Sequence, residues 1–170
     1  MCLPIDIRLA KPVDVIDMAE VHMRSWDAAY QNIIPAEYIR EKNAGRRALY
    51  QRVITEDNTF AYVIRHKDQT IGVIKVAPAQ DEDMDDSVYE LHYFYLHPDF
   101  FRKGIGSQAM DFAFDISRGL NKQCMVVWVL AKNVNAIGFY KKCGFAADGK
   151  TMEHEWGGKI LDVIRMKKAF

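Results

Sequence analysis

The feature that most constrains the fold is a short glycine loop between a predicted strand and a predicted helix. The loop spans residues 100–106 and reads FFRKGIG, and a helical pattern follows it at once. Glycine lets the backbone turn tightly and present its N–H groups, and the helix behind adds the positive end of its dipole. We therefore expect the loop to bind an anion with several oxygens, through the backbone and two basic side chains. The expected binding residues are Arg102, Lys103, Gly104, Ile105, Gly106 and Ser107.

Two other interpretations of this loop were open. Gly-x-Gly pairs occur in many ordinary turns between a strand and a helix. The spacing of Gly104, Gly106 and Ala109 also fits the GxGxxA fingerprint of dinucleotide-binding folds. Such a site requires an acidic residue about 20 positions later, at the end of the next strand. Residues 124–132 contain no acidic residue, which argues against a dinucleotide site.

The composition favours one folded domain over residues 1–170. Hydrophobic residues make up 49% of the chain, which is enough for a core. The 23 basic and 23 acidic residues balance, so charge gives no reason to expect binding to nucleic acid or to a membrane. The three cysteines show no CxxC spacing, which predicts neither disulfides nor a metal site. With no signal-peptide pattern and no apolar run long enough to span a bilayer, the predicted location is cytoplasmic.

The hydrophobic periodicity predicts alternating strands and helices. We expect a strand at residues 5–9, a helix from Pro12 to Tyr30, and a helical stretch over residues 35–53 that breaks near residues 43–45. Antiparallel strands are predicted at residues 59–65, 70–77 and 88–96, and a helix follows the glycine loop. A buried strand (125–130), a short helix (133–143), a strand from near Gly144 and a last strand (160–166) complete an α/β fold, with a mixed sheet and helices on its faces.

Two segments together resemble the signature motifs of the GCN5-related N-acetyltransferase (GNAT) family: HPDFFRKGIG and, later, NVNAIGFYKKCGF. The first resembles the family pattern Q/R-x-x-G-x-G/A. The second matches the family at Asn133, Ala136, Phe139, Tyr140, Gly144 and Phe145. Phe101 departs from the pattern, because the family usually has Gln or Arg there, so one side-chain contact is expected to be missing or shifted. The resemblance implies a GNAT-type fold with a mixed, mostly antiparallel central sheet and helices on both faces.

The resemblance also implies the reaction and the cofactor. A neutral amine would attack the thioester of acetyl-CoA directly, in a ternary complex, while the glycine loop holds the pyrophosphate. Tyr140 would protonate the departing thiolate of coenzyme A, and Asn133 and Ala136 would contact the cofactor. Asn133 fits a helix cap equally well, and Tyr140 is also a candidate core residue. A backbone N–H near Tyr95 or Leu96 would stabilise the carbonyl oxygen, provided that the neighbouring strands separate there.

Two residues on the strand before the glycine loop are candidates for the general base. Glu90 and His92 are two positions apart, so their side chains should point to one face of the sheet. Either side chain could take a proton from the attacking ammonium, directly or through water, with Glu90 as the first choice. The alternative is that both are ordinary polar residues of a strand.

The acceptor is the least constrained part of the prediction. Trp26, Tyr30 and Glu90 are the expected substrate-binding residues, with further aromatic residues at Tyr89, Tyr93 and Trp156 as candidates for enclosing a cationic amine. Core packing is the alternative for the aromatics. Residues 81–86 read DEDMDD and could attract a polycation or simply be a solvated loop.

We expect either a small-molecule amine or a peptide acceptor, such as a protein N-terminus. The region from Trp26 to Tyr30, the FYKKCGF segment and the last strand resemble the polyamine acetyltransferase subgroup. A homodimer is expected from the family. The alternative function is a sensor or interaction module that binds acyl-CoA without catalysis.

Overall fold

The computed structural model describes residues 3–56 and 60–170, which build one seven-stranded sheet. In chain order the strands are β1 (Asp6–Leu9), β2 (Phe60–His66), β3 (Gln69–Pro78), β4 (Val88–Leu96), β5 (Cys124–Leu130), β6 (Ala146–Trp156) and β7 (Lys159–Ala169). Their order across the sheet is β1-β2-β3-β4-β5-β7-β6. Only β4 and β5 run parallel, and all other neighbours are antiparallel. The predicted mixed, mostly antiparallel sheet is confirmed.

Helices cover both faces of the sheet. They are α1 (Val15–Tyr30), α2 (Ala36–Ala44), α3 (Arg46–Val53), α4 (Ile105–Gly119) and α5 (Val134–Lys142). Helices α1, α2 and α3 pack on one face, and α4 and α5 pack on the other. Because helices cover both of its faces, β5 is apolar along its whole length, with the sequence CMVVWVL. The predicted break between α2 and α3 is confirmed at Gly45.

Some predicted boundaries differ from the observed ones. Asn133 precedes α5 as its N-cap instead of forming its first residue. Strand β6 begins at Ala146, after a turn at Gly144 with φ 90°. Strand β7 extends beyond the predicted residues 160–166 at both ends, because its polar flanks pair with β5 and β6. The predicted first residue of β2, Thr59, and Cys2 lie outside the described residues.

A β-bulge in β4 changes which side chains face which helices. Lys75 of β3 pairs with Tyr93, while Val76 pairs with Leu91, so His92 is an extra residue on β4. Before the bulge, Tyr89 and Leu91 pack on the α4 side of the sheet. After the bulge, Tyr93 and Tyr95 pack on the α1 side. Strict alternation would have put all four side chains on one face.

Candidate active site

Strands β4 and β5 separate in the middle of the sheet. Their parallel ladder contains three pairs among the described residues, and the last pair is Glu90 with Val126. Beyond this pair, β4 continues along β3 and β5 continues along β7. The predicted role of a backbone N–H near Tyr95 or Leu96 depends on a separation of the neighbouring strands. This separation is present. It opens a gap in which the edge of β4 can offer backbone groups.

The register of β4 identifies which amides face this gap. The His97 N–H donates to the Ile71 carbonyl at 2.7 Å, so these two residues form a hydrogen-bonded pair. In an antiparallel ladder such pairs alternate, which directs the Tyr95 N–H to Val73 and the Leu96 N–H to the gap. Of the two candidate amides, Leu96 is therefore the one that faces the separation, and Tyr95 contributes its side chain instead.

The glycine loop has the backbone geometry of an anion-binding turn. Arg102 has a φ of 59° and Gly104 has a φ of 77°, and α4 starts directly afterwards at Ile105. Ile105 is fully buried and anchors the first turn of α4 in the core. The first N–H groups of a helix have no acceptor within the helix, so here they point out of the loop. The side chains of Arg102, Lys103 and Ser107 lie on the surface around them. These groups suit the pyrophosphate of coenzyme A.

Gly106 lies where the first turn of α4 meets α5. A Cβ at Gly106 would lie 2.9 Å from Cε2 of Phe139, on α5. The absence of a side chain thus lets α4 and α5 pack closely. Phe101, at the usual Gln or Arg position, is 42% exposed, so its ring contributes little to the core.

The start of α5 presents a capped N-terminus to the same region. The Asn133 side chain accepts a hydrogen bond from the Ala136 N–H at 3.1 Å, as an N-cap does. Further along α5, Tyr140 is 8% exposed and its ring contacts Phe139 and Phe145.

Burial strongly raises the pKa of Tyr140, and the phenols of Tyr30 and Tyr95 add to this shift. The Tyr140 hydroxyl is therefore protonated at neutral pH. Its electrostatic neighbours also indicate that it points towards α1 and the end of β4.

Aromatic side chains surround the gap on the α1 side. The Trp26 Nε1–H donates to the Tyr95 hydroxyl at 3.1 Å, and the ring centroids of Trp26 lie 5.4 Å from Tyr30 and 5.9 Å from Trp156. Burial raises the pKa of Tyr30. A hydrogen bond between Tyr30 and Asn133, the N-cap of α5, has the opposite effect on this pKa. Trp26 and Tyr30 thus connect α1 with β4 and with the start of α5.

Of the other aromatic candidates, Tyr89 does not belong to this group. It lies before the β4 bulge and packs in the core on the α4 side. Tyr93 lies after the bulge and stacks on Tyr95, with ring centroids 5.6 Å apart. Trp128 of β5, which the sequence reasoning did not single out, packs on the α1 side with Trp26 and Trp156.

Glu90 and His92 lie in different electrostatic surroundings. Burial, with the charge of Asp81, raises the pKa of Glu90 to about 7. Burial and the charge of Lys75 lower the pKa of His92, so its imidazole is neutral at pH 7. Lys75 itself forms an ion pair with Glu56 at 2.8 Å. Glu90 therefore has a pKa suited to a general base at neutral pH.

One buried cation binds two carboxylates of the acidic loop between β3 and β4. Arg165 of β7 is 3% exposed and binds Asp83 with both terminal nitrogens at 2.8 Å. It also pairs with Asp81 at 3.2 Å and with Asp148 of β6 at 2.7 Å. Arg165 offsets part of the negative charge of these three carboxylates, so the predicted attraction for a polycation is reduced and not removed.

Sequence reasoning missed two buried polar residues on the α1 side, His22 and Arg46. The His22 ring stacks on Tyr95, with centroids 3.9 Å apart, and its Nδ1 lies 3.0 Å from the Tyr50 hydroxyl. Burial, with the charge of Arg46, lowers the pKa of His22 to about 2. His22 lies four residues before Trp26 on α1, and this helical spacing could have predicted that both face the same side. No local pattern distinguishes Arg46 from its neighbour Arg47.

A groove of about 420 Å³ runs between α4, the end of α5 and β7. It starts at Ser107, beside the glycine loop, and its wall carries side chains of both charges: Arg118, Lys142 and Lys168 are basic, and Asp111 and Asp115 are acidic. Within residues 3–56 and 60–170, no group of three or more His, Cys, Asp or Glu side chains has the arrangement of a metal site. None of the helices in these ranges has the length and apolar character needed to cross a membrane.

Sequence comparison finds relatives that are named N-acetyltransferases. A protein from Lactobacillus delbrueckii, named an uncharacterised N-acetyltransferase, is 30% identical over 93 residues, which are 54% of this chain and 54% of that protein. An uncharacterised N-acetyltransferase of Methanocaldococcus jannaschii is 24% identical over 82% of this chain and 59% of its own length. The chain thus spans only a little more than half of these two relatives.

A solved structure shares the fold over nearly its whole length. The PaiA N-acetyltransferase of Thermoplasma acidophilum, crystallised in complex with coenzyme A, superposes with a TM-score of 0.82. The alignment covers 99% of this chain and 100% of that one at 21% identity. The sequence profile of the acetyltransferase (GNAT) family matches residues 19–145. This chain therefore belongs to the acetyltransferase (GNAT) family.

Proposed function

We propose that this protein transfers the acetyl group of acetyl-CoA to a primary amine, by direct attack in a ternary complex. The observation that carries the proposal is the gap between β4 and β5. The glycine loop lies beyond the end of β4, Glu90 lies where the strands separate, and Tyr140 approaches from α5. These positions support an arrangement in which an anion-binding turn, a candidate base and a candidate acid serve one opening.

Acetyl-CoA supplies the activated thioester, and each residue has a distinct task around it. The backbone N–H groups of residues 102–107 would bind its pyrophosphate, with the α4 dipole in support. The Leu96 N–H would donate to the thioester oxygen as that oxygen gains negative charge. Asn133 and Ala136 would order the start of α5 against the cofactor.

Proton transfers complete the reaction. Glu90 would accept a proton from the acceptor ammonium, directly or through water, so that the neutral amine can form the new C–N bond. Tyr140 would give its phenolic proton to the sulfur as the C–S bond breaks, which releases coenzyme A as a thiol. The second proton lost by the amine nitrogen then returns to the Tyr140 phenolate through solvent. His92 remains a second candidate base, and its neutral imidazole could accept a proton.

We propose a small-molecule amine or a protein N-terminus as the acceptor, held beside Trp26 and Tyr30. Polyamines belong to the first class, because part of the sequence resembles the polyamine subgroup. The engagement of Asp81 and Asp83 by Arg165 weakens the electrostatic argument for a polycation.

The alternative is a protein that binds acyl-CoA as a sensor and transfers nothing. Thermal unfolding with acetyl-CoA, measured beside an assay of coenzyme A release, separates the two. Acetyl-CoA at about 100 times its dissociation constant should stabilise the fold by roughly 2.7 kcal/mol in either case. Release of coenzyme A that depends on an added amine supports the transferase. Stabilisation without release from any amine supports the sensor, and no stabilisation contradicts both.

The proposal includes a cytoplasmic location and a homodimer. Cys124 and Cys143 are free thiols, as expected in a reducing compartment. Strand β6 is the outer strand of the sheet and exposes almost all its side chains, including Met152, which leaves an edge for a second copy. Light scattering after size-exclusion chromatography would give the mass in solution, and a monomer mass would contradict the dimer.

A further inference from the structure

Arg46, the first residue of α3, is a buried cation with unused hydrogen-bond donors. Arg46 is 8% exposed, and its Nε and Nη2 atoms are buried and have no hydrogen-bond partner among the described residues. No ion pair joins Arg46 to a carboxylate in the part of the chain that the structure describes. Buried charged groups are normally paired, because an unpaired one is costly. The other deeply buried arginine, Arg165, follows this rule with three aspartates.

The two unused nitrogens form one edge of the guanidinium. Nε–H and Nη2–H point in nearly the same direction, and their spacing matches the two oxygens of a single carboxylate. The face of the guanidinium is already occupied, since its central carbon lies 4.0 Å from the ring centroid of Trp26. A stacked ring stabilises the charge but accepts no in-plane hydrogen bond. The edge of Arg46 is thus the part that lacks a partner.

Arg46 also lies on the side of the sheet where the acceptor is expected. The nearby phenols that act on its charge are Tyr95, Tyr50, Tyr38 and Tyr30. Tyr95 stands at the end of β4, beside the strand separation, and Tyr30 contacts the cap of α5. Burial raises the pKa values of Tyr30, Tyr50 and Tyr95, so these three phenols are neutral at pH 7 and leave the positive charge of Arg46 in place. A ligand beside Trp26 would therefore meet a positive charge with two free donors.

We propose that Arg46 binds a carboxylate of the acceptor, which makes the acceptor a carboxylate-bearing amine such as a free amino acid. The inference rests on the proposed transferase function and specifies its substrate class. Glu90 would take the proton of the amine, and Arg46 would hold the carboxylate. The aromatic rings of Trp26, Tyr38 and Trp156 would pack against the rest of the molecule. A polyamine, which has no carboxylate, would leave Arg46 unpaired and would be repelled by it.

The test compares each amino acid with its own α-amide, which keeps the amine and the side chain but removes the negative charge. The common free L-amino acids, their α-amides and spermidine are assayed for coenzyme A release from acetyl-CoA. Binding of the same compounds to the complex with coenzyme A is measured separately by titration calorimetry. We expect at least one amino acid to exceed its amide by about 10- to 100-fold in kcat/KM and in affinity, the loss typical of charge-assisted hydrogen bonds.

Variants then assign the preference to Arg46. Arg46→Met keeps the apolar stem and should reduce kcat/KM for the acid to that for the amide, while the affinity for coenzyme A stays unchanged. Arg46→Lys should restore part of the preference for the acid. Arg47→Met is the matched control, because Arg47 is the exposed neighbour on the same helix, and it should keep the preference. Thermal unfolding checks that each variant is folded. If a variant does not fold, the comparison of acid with amide in the unchanged protein still tests the inference.

The outcomes separate this inference from the proposed function. Acetylation of amides or spermidine at least as well as of every acid would overturn the carboxylate site and leave the transferase intact. Tighter binding of an acid than of its amide, without release of coenzyme A, would support the site and contradict the transferase. No binding and no acetylation of any of these compounds would overturn the inference. A preference for the acid that survives Arg46→Met would also overturn it.

Discussion

Glu90 and Val126 form the last pair of the parallel ladder between β4 and β5, so the Glu90 carboxyl group lies where the two strands separate. Burial and the nearby Asp81 raise its pKa to about 7. A carboxyl group with this pKa is largely ionised at slightly alkaline pH, yet is basic enough to accept a proton from an ammonium group. The position and the pKa of Glu90 therefore support the same role.

The first prediction concerns the pH dependence of the reaction. In the unchanged protein, kcat should rise with pH through a midpoint near 7, because only the ionised Glu90 can accept a proton. Glu90→Gln should lower kcat by about 10²- to 10⁴-fold and abolish this rise. Coenzyme A release measured from about pH 5 to about pH 9 at saturating substrates tests both. If His92→Gln abolished the increase of kcat with pH and Glu90→Gln did not, His92 would be the base instead.

The second prediction concerns Tyr140 as the proton donor. Its raised pKa keeps the phenol protonated throughout the neutral range, so its removal should affect the chemical step and not the ionisation profile. Tyr140→Phe should lower kcat by about 10²-fold or more, while the dissociation constant for coenzyme A changes little. Stopped-flow turnover and calorimetric titration measure the two quantities.

Tyr62→Phe is the matched control for Tyr140. Tyr62 is also buried, at 6% exposure, but it packs against Phe112 in the core on the α4 side. This control variant should keep the kcat of the unchanged protein. Turnover that stays normal in Tyr140→Phe would show that another group, or water, protonates the sulfur.

The third prediction concerns the close contact between α4 and α5. Because a Cβ at Gly106 would lie 2.9 Å from the Phe139 ring, Gly106→Ala should lower the free energy of unfolding by about 1–3 kcal/mol. Chemical denaturation measures this change. Adding Phe139→Leu should recover part of the loss, since the smaller side chain makes room.

Gly119→Ala is the control for this contact. A Cβ there, at the end of α4, would meet no atom within 4 Å, so the stability should stay the same or rise by up to about 1 kcal/mol. Equal stability in Gly106→Ala and the unchanged protein would contradict the packing explanation.

Local patterns were sufficient to predict the elements of the fold. The break at Gly45, the antiparallel β2, β3 and β4, and the loop before α4 all follow from periodicity and turn residues within short windows. The face of a strand residue was not predictable to the same degree. The bulge at His92 reverses the alternation, so Tyr89 and Tyr93 lie on opposite faces although their spacing predicts the same face.

Long-range contacts account for what the sequence did not reveal about the site. The separation of β4 and β5 is a relation between two strands with α4 between them in the chain, which no local pattern encodes. Likewise, Arg46 and Arg47 are indistinguishable in sequence, and only the packing of α3 on α1 buries one and exposes the other. The acidic run at residues 81–86 could not be interpreted without Arg165, which is about 80 residues away in sequence and adjacent in space.

The last prediction concerns Arg165 and the loop that it holds. The hydrogen bonds from Arg165 keep the pKa of Asp83 well below its usual range. A carboxylate of this kind contributes stability at pH values above its ordinary pKa, and this contribution is lost as the pH falls through the lowered folded-state value. The melting temperature of the unchanged protein should therefore fall below about pH 4.

Arg165→Met should lower the melting temperature at neutral pH by several degrees and flatten this fall in acid, because Asp83 then keeps an ordinary pKa. Lys150→Met is the control, since Lys150 is an exposed partner of Asp83 at 3.4 Å and should matter much less. Calorimetric melting of the three proteins from about pH 3 to about pH 7 makes the comparison. If the melting temperatures of Arg165→Met and the unchanged protein changed with pH in parallel, the ion pair between Arg165 and Asp83 would not be the cause of the lower stability in acid.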